Sequence, residues 1–212
     1  MSSWEFNKNV TGCFDEMLER SIPDYITMRK LVNNIVINHI QSTRLLHTNI
    51  IDLGCSRGGA IRDIRKSLPS NQFLGIETSR PMINASKEEF KYDANVRIAD
   101  MDLRYIDELP VKQCGAILSV LTLVFIPIEY RQKIISQVKD SLAKNGIFVM
   151  VEKITGDNYN ISQLYEDLYY DMKYQNGYSV EEIRDKKLKL EGVQVPATNQ
   201  YNIDLLRNAW VS

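Results

Sequence analysis

From residue 49 to residue 151, short and almost uncharged apolar runs take turns with amphipathic stretches. The runs are Asn49 to Gly54, Phe73-Leu74-Gly75-Ile76, Val96-Arg97-Ile98, Gly115 to Val120 and Ile147 to Val151. A half-exposed strand would alternate apolar and polar residues, whereas these runs are apolar at nearly every position. They therefore read as strands buried on both faces. The segments between them, Arg57 to Ser67, Pro81 to Tyr92 with Ser79 near its start, and one carrying Ile134, Ile135, Val138 and Leu142, have helical spacing. The last is expected to stop at Asn145-Gly146, a C-cap signal. Strands alternating with helices imply βαβ units and a parallel sheet covered on both sides, an α/β Rossmann-like fold.

The flanks are helical in pattern. In 1–45, Phe14, Met17 and Leu18 keep helical spacing, and Leu31, Val32, Ile35, Val36 and Ile40 fit one apolar stripe. Pro23 separates the two segments and suits the first turn of the second. After 155, Ile161, Leu164, Tyr165, Leu168 and Met172 share a helix face, and Ser179 to Glu182 has capping-box spacing. Asn202 to Trp210 gives a last helix. At 212 residues the expectation is one domain: a helical extension 1–45, a core 46–155 and a helical segment 156–212.

Composition excludes several classes. Lys plus Arg number 26 against 27 Asp plus Glu, which speaks against a dedicated nucleic-acid binder. Cys13, Cys55 and Cys114 are widely spaced and odd in number. Neither a disulfide framework nor a cysteine zinc site is expected, and a reducing, cytoplasmic compartment is. His39 and His47 do not have metal-ligand spacing, so no metal is expected. His39, in an apolar helix, reads as structural. The longest uncharged run, Cys114 to Ile128, is too short to span a membrane, and the first residues lack a leader's apolar stretch.

The chemistry gathers at strand ends. The first strand runs into Asp52-Leu53-Gly54-Cys55-Ser56-Arg57-Gly58, where glycines let a ligand approach the backbone and a helix start offers free N–H groups. Glu77 ends the second strand, where a carboxylate meets ribose hydroxyls in doubly wound folds. Asp100 follows the third, where it can accept from an adenine amino group. The spacing is D-x-G-x-x-x-G and not the G-x-G-x-x-G of a diphosphate cradle. This set resembles motif I and the two acids of the class I methyltransferases, which bind S-adenosylmethionine (SAM).

A narrower resemblance covers about 4 to 210. Trp4-Glu5-Phe6, Phe14 to Tyr25, the Gly54-Cys55-Ser56 turn, Thr122-Leu123-Val124-Phe125, Arg131-Gln132, Glu152-Lys153, Asn176-Gly177-Tyr178-Ser179 and Glu191-Gly192-Val193 resemble the carboxy-S-adenosylmethionine (carboxy-SAM) synthases. That resemblance implies a methyltransferase fold used to turn SAM and prephenate into carboxy-SAM and phenylpyruvate. Carbon dioxide released from prephenate is captured by a sulfonium ylide, and the product serves tRNA wobble-uridine modification. It places Tyr25, Gly54, Cys55, Ser56, Glu77, Thr78, Asp100 and Met101 against the cofactor, with Ser119 and Val120 beside them at the end of the fourth strand. It also implies a homodimer.

Two positions depart from the family. Val120 stands where the family has asparagine. Lys187 stands where it has an arginine that pairs with the new carboxylate, so a point charge replaces a planar fork. Two further strands that usually close such a sheet have no matching sequence, and the expectation is either a truncated chain or a partner chain that covers the open edge. SAM, S-adenosylhomocysteine (SAH) or carboxy-SAM is the expected ligand, and a small molecule the expected substrate. Because both departures lie near the carboxylate, methyl transfer to a small acceptor leads. Carboxy-SAM synthesis is the alternative, and a non-catalytic SAM-binding subunit the third. No catalytic side chain is singled out. Tyr165, Tyr169, Tyr170, Tyr174 and Tyr178 either line an acceptor pocket or simply pack.

Overall fold

The computed structural model describes residues 8–211. Trp4-Glu5-Phe6 lies outside them. Five strands, β1 (Asn49–Leu53), β2 (Gln72–Glu77), β3 (Val96–Asp100), β4 (Cys114–Val120) and β5 (Leu142–Val151), form a parallel sheet in the order β3-β2-β1-β4-β5. The order reverses at β1, so the turn after β1 opens at a topological switch point, where α/β sheets bind ligands.

The continuous apolar runs are explained by the pleat, which sends neighbouring side chains to opposite faces. Ile50, Phe73, Ala116 and Leu118 join one core with Val32, Val36 and Ile40 of α3 (Tyr25–Thr43), Ile61 and Ile64 of α4 (Gly59–Ser67) and Ile83 of α5 (Arg80–Glu89). Ile51, Leu53, Leu74 and Ile117 join the other with Ile134, Ile135 and Val138 of α6 (Ile128–Ser141) and Leu205 and Ala209 of α9 (Asn199–Val211). Two short helices, α1 (Lys8–Gly12) and α2 (Phe14–Ser21), precede α3. After β5 come β6 (Ile154–Thr155), α7 (Tyr159–Gln175), α8 (Val180–Leu190) and β7 (Ala197–Thr198), with β6 and β7 paired. Among the described residues no helix is long and apolar enough to cross a membrane.

Three local expectations are corrected. Pro23 precedes α3, whose N-cap is Asp24 in left-handed conformation (φ 47°). Of the α3 stripe, Val32, Val36 and Ile40 are buried, whereas Leu31 and Ile35 are exposed. Helix α6 stops at Ser141, before Asn145-Gly146. That pair instead sits in an irregularity of β5, where the partner of Cys114 is Leu142 and that of Ala116 is Ile147. Asn145 takes φ 65° there, and a Cβ on Gly146 would lie 2.5 Å from the Cys114 carbonyl, so asparagine and glycine serve a bulge and not a helix end. The capping box of α8 forms as its spacing predicts. Ser179 Oγ accepts from the Glu182 amide at 3.1 Å, and the Glu182 carboxylate accepts from the Ser179 amide at 2.7 Å.

Candidate active site

The turn after β1 is shaped by left-handed residues at Gly54 (φ 72°), Ser56 (φ 49°) and Gly58 (φ 78°). Both the Gly54 and Cys55 amides donate to the Ile76 carbonyl, which pins the turn to β2. A Cβ on Gly54 would fall 2.4 Å from Thr122 Oγ1, which itself donates to the Leu53 carbonyl at 2.7 Å. The glycine thus lets the β1 turn and the loop after β4 touch.

Above this turn lies a cavity of about 920 Å³ at the carboxyl ends of the strands. Tyr25, Gly54, Cys55, Ser56, Glu77, Thr78, Met101 and Val120 all line it. Asp100, Ser119 and Lys187 do not. Asp100 pairs with Arg80 at 2.9 Å, and the next acid, Asp102, faces the cavity in its place. Ser119 is fully buried within β4, and Lys187 pairs with Glu166 at 2.5 Å. Of the five tyrosines, Tyr165, Tyr169 and Tyr170 line the cavity. Tyr174 is exposed.

At the β1–β3 end the cavity is lined by Asp15, Asp52, Glu77 and Asp102, which outnumber Arg29, Arg57 and Arg104. Glu77 is held rigid by three amides: Ser56 donates to one oxygen at 3.0 Å, and Thr78 and Ser79 donate to the other at 2.7 and 2.8 Å. Asp52 is buried, and burial raises its carboxyl to about 7; Arg29 opposes that rise and Glu77 adds to it. Arg29 donates to the Tyr25 hydroxyl at 2.8 Å, yet its buried Nε has no hydrogen-bond partner. Burial also raises Tyr25, against Arg29. Cys55 is buried and its thiol lies well above the usual range, through burial and then Asp52 and Glu77, so it is no nucleophile.

At the β4–β5 end, Glu152 accepts from the Leu123 and Val124 amides at 2.8 and 2.9 Å, and burial raises it to about 7 against those bonds. Beyond it the side chains are cationic. Lys153 donates to Gln194 at 3.2 Å and stands 4.8 Å from the centre of the Tyr169 ring. Lys186 reaches Ser21 Oγ at 3.3 Å. Ser21 Oγ lies 2.9 Å from the Tyr178 hydroxyl, and Arg20 stacks on that ring at 4.3 Å. Arg20 also donates to the carbonyls of Asn176 and Gly177 at 3.0 and 2.9 Å, and Asn176 returns a bond to the Arg20 carbonyl at 3.1 Å. Helix α2, whose Phe14, Asp15 and Leu18 line the cavity, is thus stapled to the α7–α8 turn.

Sequence reasoning assigned no role to Asp52, Arg29, Glu152, Lys153 or Lys186. The Asp52 and Glu152-Lys153 positions lay within quoted motifs, whereas nothing local marks Arg29 or Lys186. Arg131, also within a quoted motif, proves structural: it is 2% exposed and donates to the carbonyls of Ile126 and Val195 at 2.8 and 2.7 Å. His39 is structural too, its Nε2 donating to the Asn145 carbonyl at 2.7 Å.

A family model described as a methyltransferase domain matches residues 50–146. The carboxy-S-adenosyl-L-methionine synthase of Nautilia profundicola is 35% identical over 207 residues, covering 97% of this chain and 86% of that protein. The enzyme of the same name from Actinobacillus pleuropneumoniae serotype 7 is 30% identical over 217 residues, 100% of this chain and 87% of that one. Among solved structures, the plantazolicin methyltransferase BpumL, in complex with a triazolic desmethylPZN analog and SAH, superposes with a TM-score of 0.67 at 17% identity, over 95% of this chain and 69% of its own.

Proposed function

The chain belongs to the carboxy-S-adenosyl-L-methionine synthase family and is a SAM-dependent transferase, and we propose that it carries out the family's namesake reaction, making carboxy-SAM from SAM and prephenate. The observation that carries this reading is the continuity of the cavity, from the acid-flanked turn of β1 to the cationic wall at Lys153 and Lys186. A methyl acceptor has no general need of cations. A carboxylated product and an acidic co-substrate do.

The residues at the turn suit SAM better than a dinucleotide. The Ser56 amide is already spent on Glu77, and two carboxylates, Asp52 and Glu77, stand where a diphosphate would have to lie. The same carboxylates favour a ligand carrying sulfonium and ammonium charge. Glu77, fixed by three amides, retains lone pairs for ribose hydroxyls. Met101 offers an apolar surface to a base, and Arg29 and Arg57, both lining the cavity at the turn, are the cations available to an amino-acid carboxylate. When bound, SAM supplies an activated carbon on a positively charged sulfur. The chain's own part is to orient its ligands and exclude water.

Strand order supports a division of the cavity. β3, β2 and β1 present Met101, Glu77 and the turn, and β4 and β5 lie beyond them at ~4.8 Å per strand, leaving that end to the second reactant. Methyl transfer to a small acceptor keeps one observation in its favour: Lys187, at the family's carboxylate-pairing position, is engaged with Glu166 and does not line the cavity. Incubating the purified protein with SAM and prephenate and analysing the products by mass spectrometry tests the proposal. Carboxy-SAM and phenylpyruvate are expected. SAH with a methylated acceptor would favour the second reading, and the absence of turnover by the chain alone would favour a binding subunit.

A further inference from the structure

We propose that Lys153, Lys173 and Lys186 form a two-station carboxylate site, separate from the cofactor's own contacts, that takes the acidic co-substrate; this rests on the reading above of a reaction with an acidic partner. The three lysines come from three places: the short link between β5 and β6, α7 and α8. They converge on two aromatic rings. Lys153 and Lys173 stand 4.8 and 5.3 Å from the centre of Tyr169. Lys173 and Lys186 stand 5.1 and 5.6 Å from the centre of Tyr178. Lys173 is shared by both pairs and is 2% exposed.

Three converging ammonium groups repel one another, and burying them costs solvation that attraction to the rings offsets only in part. The strain is visible in all three. Burial lowers Lys153, Lys173 and Lys186, with Lys173 brought to about 8 and its two lysine neighbours adding to the effect. Among the described residues no carboxylate forms an ion pair with Lys153 or Lys173. The acid closest at hand, Glu166, is occupied by Lys187 and by the Tyr170 hydroxyl at 2.8 Å. A packing role would be served more cheaply by apolar residues. An arriving anion, by contrast, would relieve the repulsion and satisfy the donors.

The arrangement also specifies what kind of anion fits. Two lysine pairs around two rings offer two places for negative charge, which suits a dicarboxylate over a monocarboxylate. Lys153, Tyr169 and Lys186 line the cavity, and the buried Lys173 stands behind them between the two rings, so an anion on the lining lysines is in reach of the cofactor end and feels the charge of the third.

Calorimetry on the protein saturated with SAH, with prephenate as the titrant and phenylpyruvate as its monocarboxylate counterpart, tests the site. Wild type is expected to bind prephenate more tightly than phenylpyruvate. Lys173→Met and Lys153→Gln should each weaken prephenate about tenfold or more, as the loss of a charge-assisted bond does. SAH affinity should stay within about twofold, which also certifies that each variant is folded. Prephenate affinity unchanged in both variants would overturn the site, as would wild type failing to bind prephenate. SAH affinity falling in step would overturn it too, by showing that the lysines hold the cofactor's own carboxylate. Carboxy-SAM formation is measured separately. Lysine-dependent prephenate binding without that product refutes the proposed reaction and leaves the site standing, whereas product formed normally by both variants refutes the site alone.

Discussion

The two ends of the cavity are built from opposite charge and in opposite ways. At the β1–β3 end, Asp52 is buried in β1, Glu77 at the end of β2 is tied to three backbone amides, and Asp102 just after β3 is tied to Arg104. Arg104 accordingly holds the Asp102 carboxyl below the usual range. At the α7–α8 end Lys153 and Lys186 line the cavity beside Glu166, which Lys187 engages, and the outer residues Ile161, Leu164 and Leu168 of α7 are exposed. A rigid anionic end suits a ligand of fixed shape that carries positive charge. A cationic end on peripheral helices suits a second, negatively charged reactant. The difference teaches that the fold's general equipment lies with the sheet, and what is particular to this chain lies with the added helices.

The comparison breaks most directly at Glu77. Glu77→Ala is expected to weaken SAM about a hundredfold by calorimetry, since a charged acceptor is lost and three amides lose their partner. Unchanged SAM affinity would remove the acidic end from the binding site altogether. A smaller and pH-dependent effect sharpens the contrast at Asp52. Its carboxyl titrates near 7 in the fold against 3.8 ordinarily, so between those values the folded state holds the extra proton. Stability without ligand should therefore fall as pH rises through that window and level off above it. Relative to Asp52→Asn, wild type should lose about 2 to 4 kcal/mol between pH 4 and pH 8 by urea unfolding. A parallel pair of curves would mean that Asp52 is not desolvated as described. The smallest effect belongs to Lys187. Its pair with Glu166 is half-exposed, and Lys187→Ala should cost less than about 1 kcal/mol of stability. A larger loss of carboxy-SAM than of SAM affinity in that variant would show that Lys187 turns inward when product is bound.

The sheet was legible because its inner strands β1, β2 and β4 are buried on both faces, and a run such as Ile50-Ile51 must then be apolar throughout. The cofactor end was legible for a related reason, since Gly54 and Glu77 are placed by strand ends that the sequence announces. Legibility failed where a residue's meaning depends on a neighbour distant in sequence. Asn145-Gly146 has the same composition in a helix cap and in a bulge, and only the proximity of Cys114 decides. Asp100 and Asp102 are equally acidic, but Arg80 claims the first. Leu31 and Ile35 carry the period of a buried stripe and still face outward. The lysine cluster had no local sign, because Lys153, Lys173 and Lys186 meet only through the packing of α7 and α8 against the link between β5 and β6.

The staple between Arg20 and the Asn176-Gly177 turn has a mechanical consequence. One side of it, α2, puts Phe14, Asp15 and Leu18 into the cavity wall, and the other leads through Tyr178 into α8, whose Lys186 and Leu190 line the same cavity. A single latch therefore ties two stretches of one wall, and neither can swing away from the other without breaking it.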